Sequence, residues 1–428
     1  MKVEPIVDEQ INGYLIKWSE PYNLTARVSR LRIPSDGQVR GELEIKHNKN
    51  GNLDYLLVPT QFNFSSEPTR VKFAKQLSDK LDLEIEWKEI FDYLCQQIPE
   101  LARAGDDAIE VFPDPNSPPP EQLLQGLIYK GVQNIIFGEK GVCKSTLAYF
   151  LGMCVTLPWK DNPLDLSVPK ESIRTLVLDW ETDKNSFLYC MSRLQKGMDI
   201  PICSLFYRRC ALPLIDDIEA IQKKVEEIKA KGDADDKEKE ILLVIDSLGA
   251  AAGGERGELK GSEAALLFNA ALRKLKLTSL IIGQTSKGDA DGKRKTIFGS
   301  TYFTYYARNI FELCTGHDDY GDSQHLALFH RECNLGKKMS PIGLRIEFND
   351  TDRSINIERE AVSIAEFSQK VSVGMRILEV LKEGAMNSKE LVDYLEVSRN
   401  AVDQALKRLR TNHKITDTGG KKWGLPVI

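Results

Sequence analysis

The segment that most narrows the folds open to this chain begins at Asn134. A short apolar stretch, Asn134-Ile135-Ile136-Phe137, enters Gly138-Glu139-Lys140-Gly141-Val142-Cys143-Lys144-Ser145-Thr146 and leaves as the apolar, helix-favouring LAYFLGMCV. A strand that turns sharply into a helix through glycines aims several consecutive backbone N–H groups, and the positive end of the helix dipole, at one point. A polyphosphate suits such a turn: Lys144 neutralises the outer phosphate oxygens and the Ser145 hydroxyl can ligate magnesium. Gly138 to Thr146 is therefore the expected nucleotide loop, with ATP and Mg2+ as its ligands. One position departs from the pattern, since glycine is expected directly before the lysine and Cys143 stands there. If the backbone has positive φ at that point or must approach a phosphate, a Cβ costs on the order of 1 kcal/mol, and weakened nucleotide affinity is expected. A thiol at a helix N-terminus can also have a lowered pKa, which would open the site to redox control. Tolerated drift is the plainer alternative.

The runs NIIFG, TLVLDW, ILLVIDS, SLIIGQT and HLALFHRE alternate with longer helical patterns. Continuous apolar strands separated by helices predict an α/β fold with a parallel sheet covered on both faces, and ligands then sit at the carboxyl ends of the strands. TLVLDWETD ends in Asp179, Trp180, Glu181 and Asp183. A carboxylate there can orient and deprotonate an attacking water; Glu181 is the expected general base, with Asp179 and Asp183 as competitors. Ile241 to Ile245 precede Asp246, the form expected of the acidic residue that holds magnesium. Gln284, at the end of SLIIGQT, can contact a γ-phosphate and report its loss to the glycine-containing, basic segment Lys287 to Lys295. The charged stretch KKVEEIKAKGDADDKEKE reads as a solvated helix and turn.

Other parts of the chain separate from this core, and a length of 428 residues leaves room for two to four domains. Residues 1–112 combine alternating stretches such as ARVSRLRI and GELEIKHN with the helical VKFAKQLSDKL and IFDYLCQQIPELARA, an α+β domain whose chemistry is not legible and which is best read as a docking or assembly unit. Residues 113–120 hold five prolines, which can continue neither a helix nor a central strand, so they form the expected linker. The core then spans 121–360. Residues 371–428 read as three short helices followed by a hairpin with a Gly-Gly turn.

The order of phosphate loop, strand ending in Glu181, strand ending in Asp246-Ser247, strand ending in Gln284, then FGSTYFTYYARNIFEL and LFHRECNLGKK resembles the RecA-like P-loop ATPases. Within them it is most similar to the group containing plasmid RepA hexameric helicases, with DnaB-type helicases more distant. The resemblance implies an ATPase that forms a homo-oligomeric ring, a hexamer, with ATP between subunits and single-stranded DNA in the channel. It implies that Ala250 to Gly261 and the basic Lys287, Lys293, Arg294 and Lys295 face that DNA. It also implies a basic residue reaching the neighbour's γ-phosphate, matched best by Arg331, with Arg308 as competitor; Glu332 stands where a second basic residue is expected. Residues 371–428 resemble a winged helix-turn-helix, in which Lys407, Arg408, Arg410, Lys421 and Lys422 make a basic surface for duplex DNA or, alternatively, a protein-docking module.

Composition bounds these readings. With 42% apolar and 28% charged residues the chain has a globular balance, and no apolar run approaches the roughly 18 residues needed to cross a bilayer, so a soluble cytoplasmic protein without a membrane partner is expected. Eight cysteines without a CxxC pair fit reduced thiols rather than a structural metal site. A net charge of -5 means that nucleic-acid binding must come from local patches. Two functions follow: a DNA-dependent ATPase acting as a ring helicase or translocase in replication or recombination, or a nucleotide-gated DNA-binding regulator or scaffold with weak turnover.

Overall fold

The computed structural model describes residues 4–34, 36–49, 52–80, 85–105, 107–231, 240–253, 261–285, 297, 302–316, 321–363, 367 and 371–426. In the first part, β1 (Ile6–Gln10), β2 (Gly13–Trp18), β3 (Leu24–Arg32), β4 (Arg40–Lys49) and β5 (Asn52–Asn63) form an antiparallel meander, and α1 (Glu67–Lys80) and α2 (Trp87–Arg103) pack on it. Alternation drives this half-covered sheet: Leu24, Ala26 and Val28 of β3 are buried while Arg27 between them stays out. Residues 107–120 carry neither helix nor strand and are exposed, as their prolines require.

The core opens with the short pair β6 (Gln122–Leu124) and β7 (Ile128–Tyr129), then β8 (Gln133–Gly138) and α3 (Lys144–Thr156). It continues through β9 (Arg174–Asp179), α4 (Lys184–Met198), β10 (Phe206–Arg209), α5 (Leu214–Ala230), β11 (Ile241–Asp246), α6 (Leu248–Ala251), α7 (Gly261–Leu275), β12 (Thr278–Gln284) and α8 (Tyr302–Tyr306). It closes with β13 (Asn309–Thr315), β14 (Ser323–Cys333), β15 (Ile342–Asn349) and β16 (Ser354–Glu360). Among the described residues these strands make one nine-stranded sheet of order β10-β9-β11-β12-β8-β13-β14-β15-β16. The first six in that order run parallel and the last three add antiparallel.

Neighbouring residues in the central strands serve opposite cores. Ile136, Val177 and Val244 face the cluster built with α3 and α4, whereas Ile135, Leu178 and Ile245 face the one built with α5 and α7. That two-sided burial is why these strands read as unbroken apolar runs. One expectation is corrected: HLALFHRE, read as a parallel strand, lies in β14, which is antiparallel to β13. A short return from β13 to β14 needs no crossover helix, and apolar content alone carries no direction.

The meander docks on α5 and α7. Arg27 pairs with Glu219 at 2.6 Å, Arg32 pairs with Asp216, and Lys274 donates to Asn12 at 2.8 Å. At the other end of the chain, α9 (Val373–Glu383), α10 (Ser388–Leu395) and α11 (Arg399–Thr411) surround their own apolar cluster. With them are β17 (Met386–Asn387), β18 (Thr416–Gly419) and β19 (Lys422–Gly424), paired in the order β17-β19-β18. Among the described residues no helix is long and apolar enough to cross a membrane.

Candidate nucleotide site

The carboxyl ends of β8, β9, β11 and β12 lie side by side, and their register brings the singled-out residues together: Asp246 pairs with Asp179 across β11 and β9, and Gln284 with Gly138 across β12 and β8. Gly138 is required where it stands, because a Cβ would lie 2.4 Å from the Leu313 carbonyl of β13. The loop then runs through Gly141 at φ 89° to Cys143 at φ 55°, ψ 26°, the left-handed region. The expected conformational demand at position 143 is thus present, and a cysteine meets it. Its thiol turns inward to donate to Gln324 Oε1 at 3.0 Å.

The thiol is not of the reactive kind weighed from the sequence. Burial pushes the Cys143 thiol up to about 11, and nearby Lys144 offsets this only in part, so it is protonated at neutral pH.

Helix α3 starts at Lys144 with no side-chain cap and no acidic residue in its first turn, leaving its N–H groups for an outside anion. Lys144 is buried and its ammonium donates to the Glu139 carbonyl. Burial lowers its pKa, opposed by Asp246 and Glu181. Ser145 hydrogen-bonds Asp246, whose carboxyl is pushed up to about 6 by burial and also accepts from Tyr149 at 3.3 Å. A buried cation at an uncapped helix end, with a hydroxyl beside a carboxylate, is a donor set that fits a magnesium-bound polyphosphate. The rest of the loop, Glu139, Lys140, Val142 and Thr146, borders this cradle, with Glu139 and Lys140 exposed.

The three carboxylates at and just beyond the end of β9 are sorted by their hydrogen bonds. Asp179 is fully buried and accepts from the Glu181 and Thr182 amides at 2.8 and 2.9 Å, from the Thr182 hydroxyl, and from Tyr207 at 2.9 Å. Asp183 caps α4, accepting from Asn185 and Ser186, and these bonds hold its carboxyl below the usual range. Glu181 is exposed, and its carboxylate accepts from Ser247 and, at 3.3 Å, from Gln284. Of the three it is the carboxylate free of a role in the turn, and it stands with the expected phosphate sensor.

Other singled-out residues lie elsewhere. Arg308 is at the amino end of the parallel strands, its amide donating to Gln133, whereas Arg331 lies on β14 opposite the Ile310–Phe311 step of β13. Arg308 is exposed, whereas Arg331 pairs with buried Glu312 at 2.6 Å and lies over Phe329. Lys287, Lys293, Arg294 and Lys295 lie outside the described residues, as does most of Ala250 to Gly261. Lys407, Arg408, Arg410, Lys421 and Lys422 are all exposed, with Arg410 5.7 Å from the Trp423 ring. Sequence reasoning missed Ser247, Tyr149, Tyr207 and Gln324; Ser247 was signalled by its place after Asp246, the others by nothing in their spacing.

The fold and this site define a mostly parallel α/β core with a phosphate-loop turn between β8 and α3. Residues 102–290 match a protein-family model described as AAA domain, a stretch that includes the phosphate loop, Glu181, Asp246 and Gln284. No curated protein matches the chain. Among solved structures it is similar to a KaiC-like protein from the hyperthermophilic archaeon Pyrococcus horikoshii, with 16% identity over 55% of this chain and 93% of that one and a TM-score of 0.36.

Proposed function

We propose that this protein hydrolyses ATP to drive movement on DNA, as a ring-forming helicase or translocase. The observation that carries the ATPase part is Glu181, exposed and hydrogen-bonded to Ser247 and Gln284, beside Lys144 and Asp246. The α3 N–H groups and Lys144 would hold the polyphosphate, and Ser145 with Asp246 would hold magnesium, which would supply charge neutralisation to the phosphate oxygens. Glu181 takes a proton from the attacking water, and Gln284, bonded to that glutamate, reports the state of the γ-phosphate. The DNA part is supported by the motif order and by the helix-strand-helix-helix-hairpin order of residues 373–424, which we read as a winged helix exposing Lys407, Arg408, Arg410, Lys421 and Lys422. An arginine reaching a neighbour's nucleotide, Arg331 or Arg308, belongs to the same reading.

Cys143 favours a second reading, a nucleotide-gated scaffold with slow turnover, because its left-handed backbone burdens the loop. The test is the steady-state ATPase rate with and without single-stranded DNA, alongside Glu181→Gln. Strong stimulation, abolished in Glu181→Gln with nucleotide binding retained, supports the motor. A negligible rate with tight binding supports the scaffold.

A further inference from the structure

Two tyrosines distant in sequence meet the same ring. Phe187, in the first turn of α4, stacks on Tyr207 of β10, with centroids 4.7 Å apart at 24°, and meets Tyr149 of α3 edge-on at 5.1 Å and 82°. Each hydroxyl ends on a different carboxylate: Tyr207 donates to Asp179 Oδ2 at 2.9 Å and Tyr149 to Asp246 Oδ2 at 3.3 Å. Those two carboxylates are directly paired neighbours at the ends of β9 and β11. Burial first, then the partner carboxylate, drives both phenols well above their ordinary range, so both stay donors.

Asp179 uses its oxygens to shape the turn that presents Glu181. Oδ1 holds the Glu181 and Thr182 amides, and Oδ2 holds the Thr182 hydroxyl and Tyr207. An ionised carboxylate has about four acceptor sites, and four donors engage this one. Three of the donors belong to the turn itself; the fourth, Tyr207, ties the turn to β10 and, through its stacked ring, to α4. The Glu181 backbone amide is bonded directly to Asp179, so rotation of that carboxylate displaces Glu181.

We propose that Tyr207 is a positioning residue for hydrolysis: by anchoring Asp179 it sets the place of Glu181. This rests on the reading of Glu181 as the base. The test is Tyr207→Phe, which keeps the ring and its stacking but removes the donor. Loss of one hydrogen bond to a buried carboxylate is expected to lower kcat on the order of tenfold. KM and binding of a fluorescent ADP analogue are expected to stay unchanged, because neither the phosphate loop nor Lys144 is touched. In a Glu181→Asp background, where the carboxylate is already displaced, Tyr207→Phe is expected to cost little more. Phe187→Leu, which leaves the hydroxyl but removes its support, is expected to lower kcat in the same direction and serves if Tyr207→Phe does not fold. Unchanged kcat, a parallel loss of nucleotide binding, or full additivity with Glu181→Asp would overturn the proposal. If Glu181→Gln itself leaves hydrolysis intact, the base assignment fails first; if Glu181→Gln is dead and Tyr207→Phe is normal, only the positioning role fails.

Discussion

At the scale of single residues, Cys143 and Asp246 carry the sharpest expectations. A left-handed backbone at a residue with a Cβ costs roughly 1–2 kcal/mol, and Cys143 at φ 55° bears that cost inside the nucleotide loop. Cys143→Gly removes it but also removes the thiol's contact with Gln324. Nucleotide affinity is expected to rise by about fivefold, the equivalent of about 1 kcal/mol, as read by titration with a fluorescent ATP analogue. An unchanged Kd means that the packing of the thiol already offsets the strain. Asp246 sets a pH dependence. Its carboxyl, raised by burial to about 6 from 3.8, keeps a proton in the folded chain that the unfolded chain loses. Between those values stability falls as pH rises, while magnesium binding, which needs the anion, strengthens. The acid limb of hydrolysis is therefore expected near pH 6 at low magnesium, and is expected to move to lower pH as magnesium is raised. A limb indifferent to magnesium assigns it to another group.

At the scale of elements, the β9 turn and the β13–β14 pair show two different limits of linear reading. The sequence offers three carboxylates at and just beyond the end of β9, with Glu181 the expected base. What separates them is which backbone amides each one faces, a property of the folded turn: Asp179 closes it, Asp183 caps α4, and Glu181 is left to face Gln284. On β14, Arg331 matched a finger position by motif order, but its guanidinium is held by Glu312 of β13, a side chain only 3% exposed. Arg331→Ala would remove the guanidinium from that buried carboxylate, and a loss of about 3–5 kcal/mol is expected in urea unfolding. A double change to well-packed apolar residues at both positions is expected to cost far less. A single variant that unfolds no more easily than wild type would mean that the pair is dispensable and the arginine free for another task.

For the whole molecule, the open question is whether chemistry is shared between copies. If an arginine acts on the neighbour's nucleotide, mixing Lys144→Ala subunits with subunits lacking that arginine is expected to restore part of the activity each lacks alone, since some interfaces pair an intact loop with an intact arginine. Arg308→Ala and Arg331→Lys are the two partners to try, the second chosen to limit damage to the Glu312 pair. A mixture that stays inactive while both variants assemble rejects a shared site for that arginine. Within one chain, the meander already reaches the nine-stranded core through Arg27, Arg32 and Asn12, which places it against α5 and α7 rather than against the phosphate loop.

The sequence by itself determined the phosphate loop, the apolar parallel strands and the polar residues that end them, because a turn that binds phosphate and a strand buried on both faces each leave a contiguous trace. It also announced the strain at Cys143, since the demand for positive φ belongs to the loop's own geometry. The tertiary structure alone decided the direction of β14, the division of labour among Asp179, Glu181 and Asp183, and the capture of Arg331 by Glu312. It alone brought Tyr149 and Tyr207 onto Phe187. Those outcomes depend on which side chains strand register and helix packing bring within about 3–5 Å of each other, and no local pattern of residues records that distance.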